Sequence, residues 1–342
     1  MRIVDIDSVE PGQILGKTIF SAAGAVLLAE GVQLTVFMIT TLRRLGVTML
    51  YIKDPRFEDV EIAEVVSEEN KRLIMQKMGE MMEAIRSGKQ FDSRALSISI
   101  DRLLDDIMQN KEVLVQLTDI RTHDNEAFVH ALNVCTMSVM MGINMGLNQI
   151  QLKELAIGAL LHDIGKLDPE AADDSDDPKR HHAWRGFEIL KSKQELSLLI
   201  AHTAFQHHEQ VDGQGLPRKL DGAHIHPYAK ISAVANTYDR LLYDPATGIR
   251  MLPHEACEYM MALAGIKLDL NTVIQFLRTV SVYPTGTSVR LSTHETGVVV
   301  GQHRGLPGRP IVRIISKDAD YYEAKEIDLA REATVFIESV LS

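Results

Sequence analysis

Between residues 62 and 280 nearly every segment of this chain carries apolar residues at helical spacing, and within it the span from His130 to His226 holds nine of the 13 histidines. Random scatter would not concentrate them so, whereas a histidine-rich metal centre in a helical domain would. The densest point is Leu160-Leu161-His162-Asp163-Ile164-Gly165-Lys166, where an apolar helical run ends in adjacent histidine and aspartate. Neutral imidazole and carboxylate together suit iron, manganese, zinc or nickel, and an adjacent His-Asp can serve a metal cluster from one backbone position.

The pattern divides the chain into successive parts. Residues 1–55 mix short β-type runs with turn glycines, as in Gly24-Ala25-Val26-Leu27-Leu28 and Val47-Thr48-Met49-Leu50-Tyr51-Ile52. Between these runs, residues 36–45 have helical periodicity that stops at Gly46. Residues 53–61 are polar, include Pro55 and read as a linker, so that 56–120 forms linker and connecting helices. Residues 121–283 form the helical core; examples are 126–145 and 151–161, the latter with Leu152, Leu155, Ala156, Ala159 and Leu160 on one face. After Pro284 the period becomes alternating, and residues 288–291, 297–300 and 311–315 read as strands of a β-rich segment over 284–342. The fold class is mainly α, with a small mixed α/β N-terminal domain and a β-rich C-terminal end.

Composition removes several functions. A net charge of −11 opposes binding of nucleic-acid polymer, leaving room only for a local basic pocket. Two cysteines, Cys135 and Cys257, both in helical segments, point to packing in a reducing compartment and not to disulfides. No signal peptide is read at the N-terminus and no apolar run of membrane-spanning length is read along the chain, so a cytoplasmic protein is expected. The methionines Met75, Met78, Met81 and Met82 read as a core-facing stripe, with a homodimer contact as the other reading.

Spacing alone carries the metal argument. Glu126 and His130 are four apart on a helix and share one face. His162 and Asp163 end the next helix. His207-His208-Glu209 precedes Asp212-Gly213-Gln214-Gly215, which sets two imidazoles beside a tight turn. His181 and His182 compete for a ligand role, and spacing does not choose between them. His123, His254, His294 and His303 read as surface residues, and His202 reads as packed.

The order Glu126-x3-His130, His162-Asp163-Ile164-Gly165-Lys166, His182-x3-Gly186, His207-His208-Glu209 and Asp212-Gly213-x-Gly215-x-Pro217 resembles the HD-GYP family, a subset of the HD-domain phosphohydrolases, over roughly residues 120–280. The resemblance implies an all-α core, a di- or trinuclear centre of iron or manganese, and hydrolysis of cyclic di-GMP to the linear dinucleotide pGpG, GMP or both. It selects His182 over His181, because His182 has the glycine four residues on. By the same resemblance Glu126 and His130 would bind an outer metal, His162 and Asp163 the central pair with Asp163 bridging, and His182, His207 and His208 would complete the set. Asn236 stands where the family has an aspartate ligand. Lys166 would contact a substrate phosphate, with Arg185, Gly215 and Pro217 also assigned to substrate binding. The implied catalysis, carried by Asp163 and Lys166, is metal-assisted attack of an acidified water on phosphorus.

This sequence departs from the family pattern at three places. Asn236 is neutral where a carboxylate is usual, Gly215-Leu216-Pro217 lacks the tyrosine, and the segment after Lys166 carries Asp168, Glu170, Asp173, Asp174, Asp176 and Asp177. The acidic run reads as a solvated loop, or as a lid that would repel an anionic dinucleotide. Two function classes follow: a cyclic di-GMP phosphodiesterase, and a non-catalytic relative that binds nucleotide or a signalling protein partner; a phosphohydrolase for ordinary nucleotides is a third reading that shares the metal core.

Overall fold

The computed structural model describes residues 1–87, 89, 93–173, 175–318 and 321–341. The chain forms two compact units that do not follow its linear order. One unit comprises Met1–Glu64, Glu112–Glu126 and Val280–Ser342, and the other Val65–Lys111 and Ala127–Thr279.

The first unit is built mainly from strands. Its N-terminal part contains β1 (Arg2–Asp5), β2 (Ile14–Leu15), β3 (Ile19–Phe20), β4 (Val26–Leu28), α1 (Val36–Arg44) and β5 (Met49–Lys53). Here β5 lies between β1 and β2, antiparallel to both, while β3 and β4 pair separately. Thr35 caps α1 through its hydroxyl, and Gly46 at φ 83° ends the turn as the sequence suggests. Val4, Leu15, Ile39, Leu42 and Leu50 share the core beneath. The C-terminal part is an antiparallel five-stranded sheet in the order β10-β6-β7-β8-β9, from β6 (Ser288–Leu291), β7 (Thr296–Gly301), β8 (Ile311–Asp318), β9 (Tyr321–Asp328) and β10 (Ile337–Leu341). Val289, Leu291, Val299 and Val312 fill its buried face.

Residues 53–61 are not a free linker. Phe57 and Val60 are buried against Val298 of β7, and Arg313 of β8 clasps Asp59 with both terminal nitrogens, at 2.7 and 2.6 Å. Two apolar anchors in a polar run are enough to dock it.

The second unit is helical: α2 (Glu68–Arg86), α3 (Ser93–Gln109), α4 (Glu126–Asn144), α5 (Gln149–Leu160), α6 (His182–Lys191), α7 (Leu198–Gln206), α8 (Pro227–Leu242), α9 (Pro253–Leu263) and α10 (Leu270–Leu277). Met75, Met78 and Met81 are buried, as a core stripe should be. Every residue of α4 from Phe128 to Gly142 is buried. This 19-residue helix does have the length and composition of a membrane span, which the sequence reading had missed. Its buried His130, Asn133, Thr136 and Ser138, and its place inside the helical unit, fit a core helix. Cys135 and Cys257 are buried and free.

Candidate metal centre

The sequence places the reactive side chains at helix ends, and the same local device sets two of them. His162 lies just past α5 and donates from Nδ1 to the Ala159 carbonyl at 2.7 Å; His207 lies just past α7 and donates from Nδ1 to the Ala204 carbonyl, also at 2.7 Å. Each ring thus satisfies a carbonyl in a last helical turn and fixes its own tautomer, leaving the Nε2 lone pair facing inward. His182 opens α6, with His181 as its cap: His181 Nδ1 accepts the Ala183 amide. The turn after Asp163 lies directly on α6. A Cβ on Gly165 would stand 1.9 Å from the His182 carbonyl oxygen, and Gly186 N is 2.4 Å from the same point. The His-Asp pair can approach His182 only because both positions lack side chains.

Five imidazole Nε2 atoms converge on the two oxygens of Asp163. Oδ1 lies 3.2 Å from His182 Nε2 and 3.6 Å from His207 Nε2, while Oδ2 lies 3.6 Å from both His130 and His162 Nε2. His182 Nε2 is 3.3 Å from that of His207 and 3.1 Å from that of His208; His130 and His162 Nε2 are 3.2 Å apart. Asp163, His182, His207 and His208 form one group of ligand atoms, and His130, His162 and Asp163 another, with Asp163 common to both.

The outer contacts decide what these atoms can do. His130 Nδ1 meets the buried Asp239 carboxylate at 2.6 Å, and Asn133 donates to the other Asp239 oxygen at 2.9 Å. With both Nδ1 protons directed outward, His130 and His162 present opposed lone pairs that cannot hydrogen-bond to each other. Burial holds His162 and His208 well below the usual imidazole range and lowers His207 as well. Burial also opposes the charged form of His182, but hydrogen bonds to Asp163 and Asp173 lift its pKa above the ordinary value, so a metal ion at its Nε2 would replace the proton shared with Asp163. Asp163 remains ionised: burial favours its acid form, and His162, His182, His207 and Lys166 outweigh it. A set of inward lone pairs around one carboxylate fits a divalent transition metal. The fit extends to Asn236, whose buried Oδ1 has no hydrogen-bond partner and which shares a face of α8 with Asp239 and Arg240.

The remaining sequence candidates fall differently. Lys166 reaches the cluster, with Nζ 2.6 Å from Asp163 Oδ2. Glu126 stands one turn before His130, yet its carboxylate is not among the converging groups found in the described residues. The Arg185 guanidinium binds Asp168 at 2.8 Å and Glu170 at 3.1 Å. Gly215 and Pro217 are buried; a Cβ on Gly215 would stand 2.2 Å from Gln210 N, and Leu216 between them is the exposed residue. This turn is clipped to the histidine pair: Leu216 N donates to the His208 carbonyl, and buried Glu209 accepts the amides of Arg218 and Leu220. His202 packs on Phe187 and Phe205, as expected. Of the four histidines read as surface residues, His123 and His294 are exposed and His254 and His303 half-buried.

Three residues escaped the sequence reading. Asp239 and Arg240 sit one turn after Asn236, where the three- and four-residue spacing was the available signal. Asp173 belongs to the run read as a solvated or repelling loop; instead one oxygen accepts from the His182 backbone at 2.8 Å and the other meets its Nδ1 at 2.7 Å. A charge run carries no mark of which member backs a histidine. Asp174 lies outside the described residues.

Comparison with known proteins agrees with this architecture. The HD domain family matches residues 102–271, and the KOW domain associated with HD domain matches 288–342, the span of the five-stranded sheet. Cyclic di-GMP phosphodiesterase PA4108 of Pseudomonas aeruginosa is 28% identical over 65% of this chain and 56% of its own length. Cyclic di-GMP phosphodiesterase PdeB of Borreliella burgdorferi is 25% identical over 59% and 55%. The 3'3'-cGAMP-specific phosphodiesterase 2 of Vibrio cholerae is 27% identical over 42% and 30%. The chain therefore spans little more than half the length of the first two. The solved structure of Bd1817, an HDG"Y"P protein from Bdellovibrio bacteriovorus, superposes with TM-score 0.51 at 17% identity, over 80% of this chain and 97% of that one, a likeness of fold. With its helical core and C-terminal sheet both in agreement, the chain is an HD-domain protein with the associated KOW domain, and its motif order resembles that of the HD-GYP group.

Proposed function

We propose that this protein is a metal-dependent phosphodiesterase that hydrolyses cyclic di-GMP to pGpG, GMP or both. The observation that carries the reading is the convergence of five Nε2 atoms on the two oxygens of Asp163, with outer hydrogen bonds turning the lone pairs inward. The names of the relatives support a cyclic dinucleotide as substrate.

In this reading His182, His207 and His208 would hold one iron or manganese ion together with Asp163, and His130 and His162 with Asp163 would hold a second. Asn236 would offer a neutral oxygen from α8. Bound metal supplies Lewis acidity and a water acidified enough to act at neutral pH. Asp163 would be common to both ligand groups. Asp239 and Asp173 hold the rings of His130 and His182 in orientation. Lys166, exposed at the rim, provides a cation for a substrate phosphate. Arg185 acts by holding Asp168 and Glu170, and Gly215 and Pro217 by shaping the turn beside His208.

The test is product analysis on protein loaded anaerobically with Fe(II) or Mn(II), offered cyclic di-GMP and 3'3'-cGAMP in parallel. Cyclic di-GMP should yield the linear dinucleotide, and Asp163→Ala and His208→Ala should lower the rate by about 10³-fold or more. Lys166→Ala should slow turnover while leaving metal content intact. Preference for 3'3'-cGAMP would reassign the substrate. Asn236 and the two cations already on Asp163 favour a second reading, a nucleotide-binding regulator; tight binding without turnover under every metal would establish it.

A further inference from the structure

The two halves of the centre are unequal. The His182 half offers three imidazoles and Asp163 Oδ1, whereas the His130 half offers two imidazoles and Oδ2. Two cations already sit on that second oxygen: Lys166 Nζ at 2.6 Å and an Arg240 terminal nitrogen at 3.1 Å. Arg240 projects from α8 and is about one-quarter exposed, with Asp244 4.0 Å from its other terminal nitrogen. Each half has a carboxylate behind one ring, Asp239 behind His130 and Asp173 behind His182, so an outer carboxylate does not distinguish them. Asp239 acts through an imidazole, while Arg240 binds the ligand oxygen itself. The further oxygen on that face, Asn236 Oδ1, brings no charge.

From this asymmetry we infer that Arg240 is a resident competitor for metal, so that the His182–His207–His208 half binds a divalent ion tightly and the His130–His162 half binds its ion weakly. A guanidinium does not lose its proton in a protein, so a second ion must enter beside a fixed positive charge or displace it from Asp163. Lysine can rotate away on a flexible stem from its more exposed position; Arg240 is held by Asp244 as well. The inference rests on the metal-centre reading proposed above and adds an order of filling and the residue that sets it.

Chelator-stripped full-length protein, titrated with Mn(II) while free ion is counted by electron paramagnetic resonance, should show one tight and one weaker class of site. A separation of about tenfold or more in Kd is expected from one additional charge at the ligand oxygen. Arg240→Gln should tighten the weaker class by about tenfold and leave the tight one in place. Arg240→Lys, which keeps the charge, should preserve most of the separation. His130→Ala should delete only the weaker class, and His208→Ala should weaken the tight one. Two equal classes in the natural protein would overturn the inference, as would an Arg240→Gln titration superimposable on it, or equal relaxation by Arg240→Lys. Absence of any Mn(II) uptake would defeat the metal-centre reading itself, and the inference with it.

Discussion

The strand-built unit and the helical unit bury different things. The five-stranded sheet closes over Val289, Leu291, Val299 and Val312, an aliphatic face against which Tyr283 packs. Polar side chains buried elsewhere in that unit include Thr122 and Asn125, which satisfy each other's backbone amides, and Asp54, which is paired with Arg56. The helical unit instead places His130, His162, His182, His207 and Asp239 in its interior. Burying polar groups costs free energy unless partners meet them, so a unit that gathers so many lone pairs at one point is shaped by what must bind there. The buried polar groups of the first unit are met by partners within it; the lone pairs gathered in the second could hold a cation.

The largest break in this comparison should come from the sheet. Leu291→Ala removes a fully buried side chain and should cost about 2–5 kcal/mol of stability. Calorimetry should show it in the transition of the strand-built unit, with the metal content of the helical unit unchanged. A loss of metal would mean that the two units do not behave independently.

Removing metal tests the opposite case. An ion present at a hundred times its Kd stabilises the state that binds it by about 2.7 kcal/mol, and chelation should withdraw that amount from the helical unit while leaving the other transition in place. Equal shifts in both transitions, or none in either, would erase the distinction. The smallest effect should follow from Asp173→Asn, which weakens the outer partner of His182. Metal affinity should fall about 10–100-fold, with little change in the stability of metal-free protein. An unchanged affinity would return Asp173 to the solvated loop.

Much of the fold was legible because local rules acted alone. Gly46 ends α1, residues 288–291 form β6, and the period change after Pro284 marks the start of the sheet. The strands β9 and β10 were not read. Tyr321–Asp328 alternates little in polarity, and its place is set by pairing with β8 at every position from Ile311↔Asp328 to Asp318↔Tyr321. Residues 53–61 looked like a linker because two buried residues, Phe57 and Val60, cannot be told from surface ones without their partner Val298.

At the site, the His-Asp pair, His182 and His207-His208 stood out by residue type and order, and these carried the family resemblance. The partners were hidden because they lie far apart in sequence: His130 meets Asp239 across 109 positions, and Asp163 meets Arg240 across 77. The amino-acid sequence by itself determined which side chains could hold a metal, which helices carry them, and where glycine permits close approach. Tertiary structure alone decided that Asp163 faces two histidine groups with different oxygens, that the exposed Asp173 backs His182, and that Arg240 shares an oxygen with the second group. The reason is physical: periodicity reports which face of a helix is buried, while a ligand set depends on the angles at which several buried faces meet.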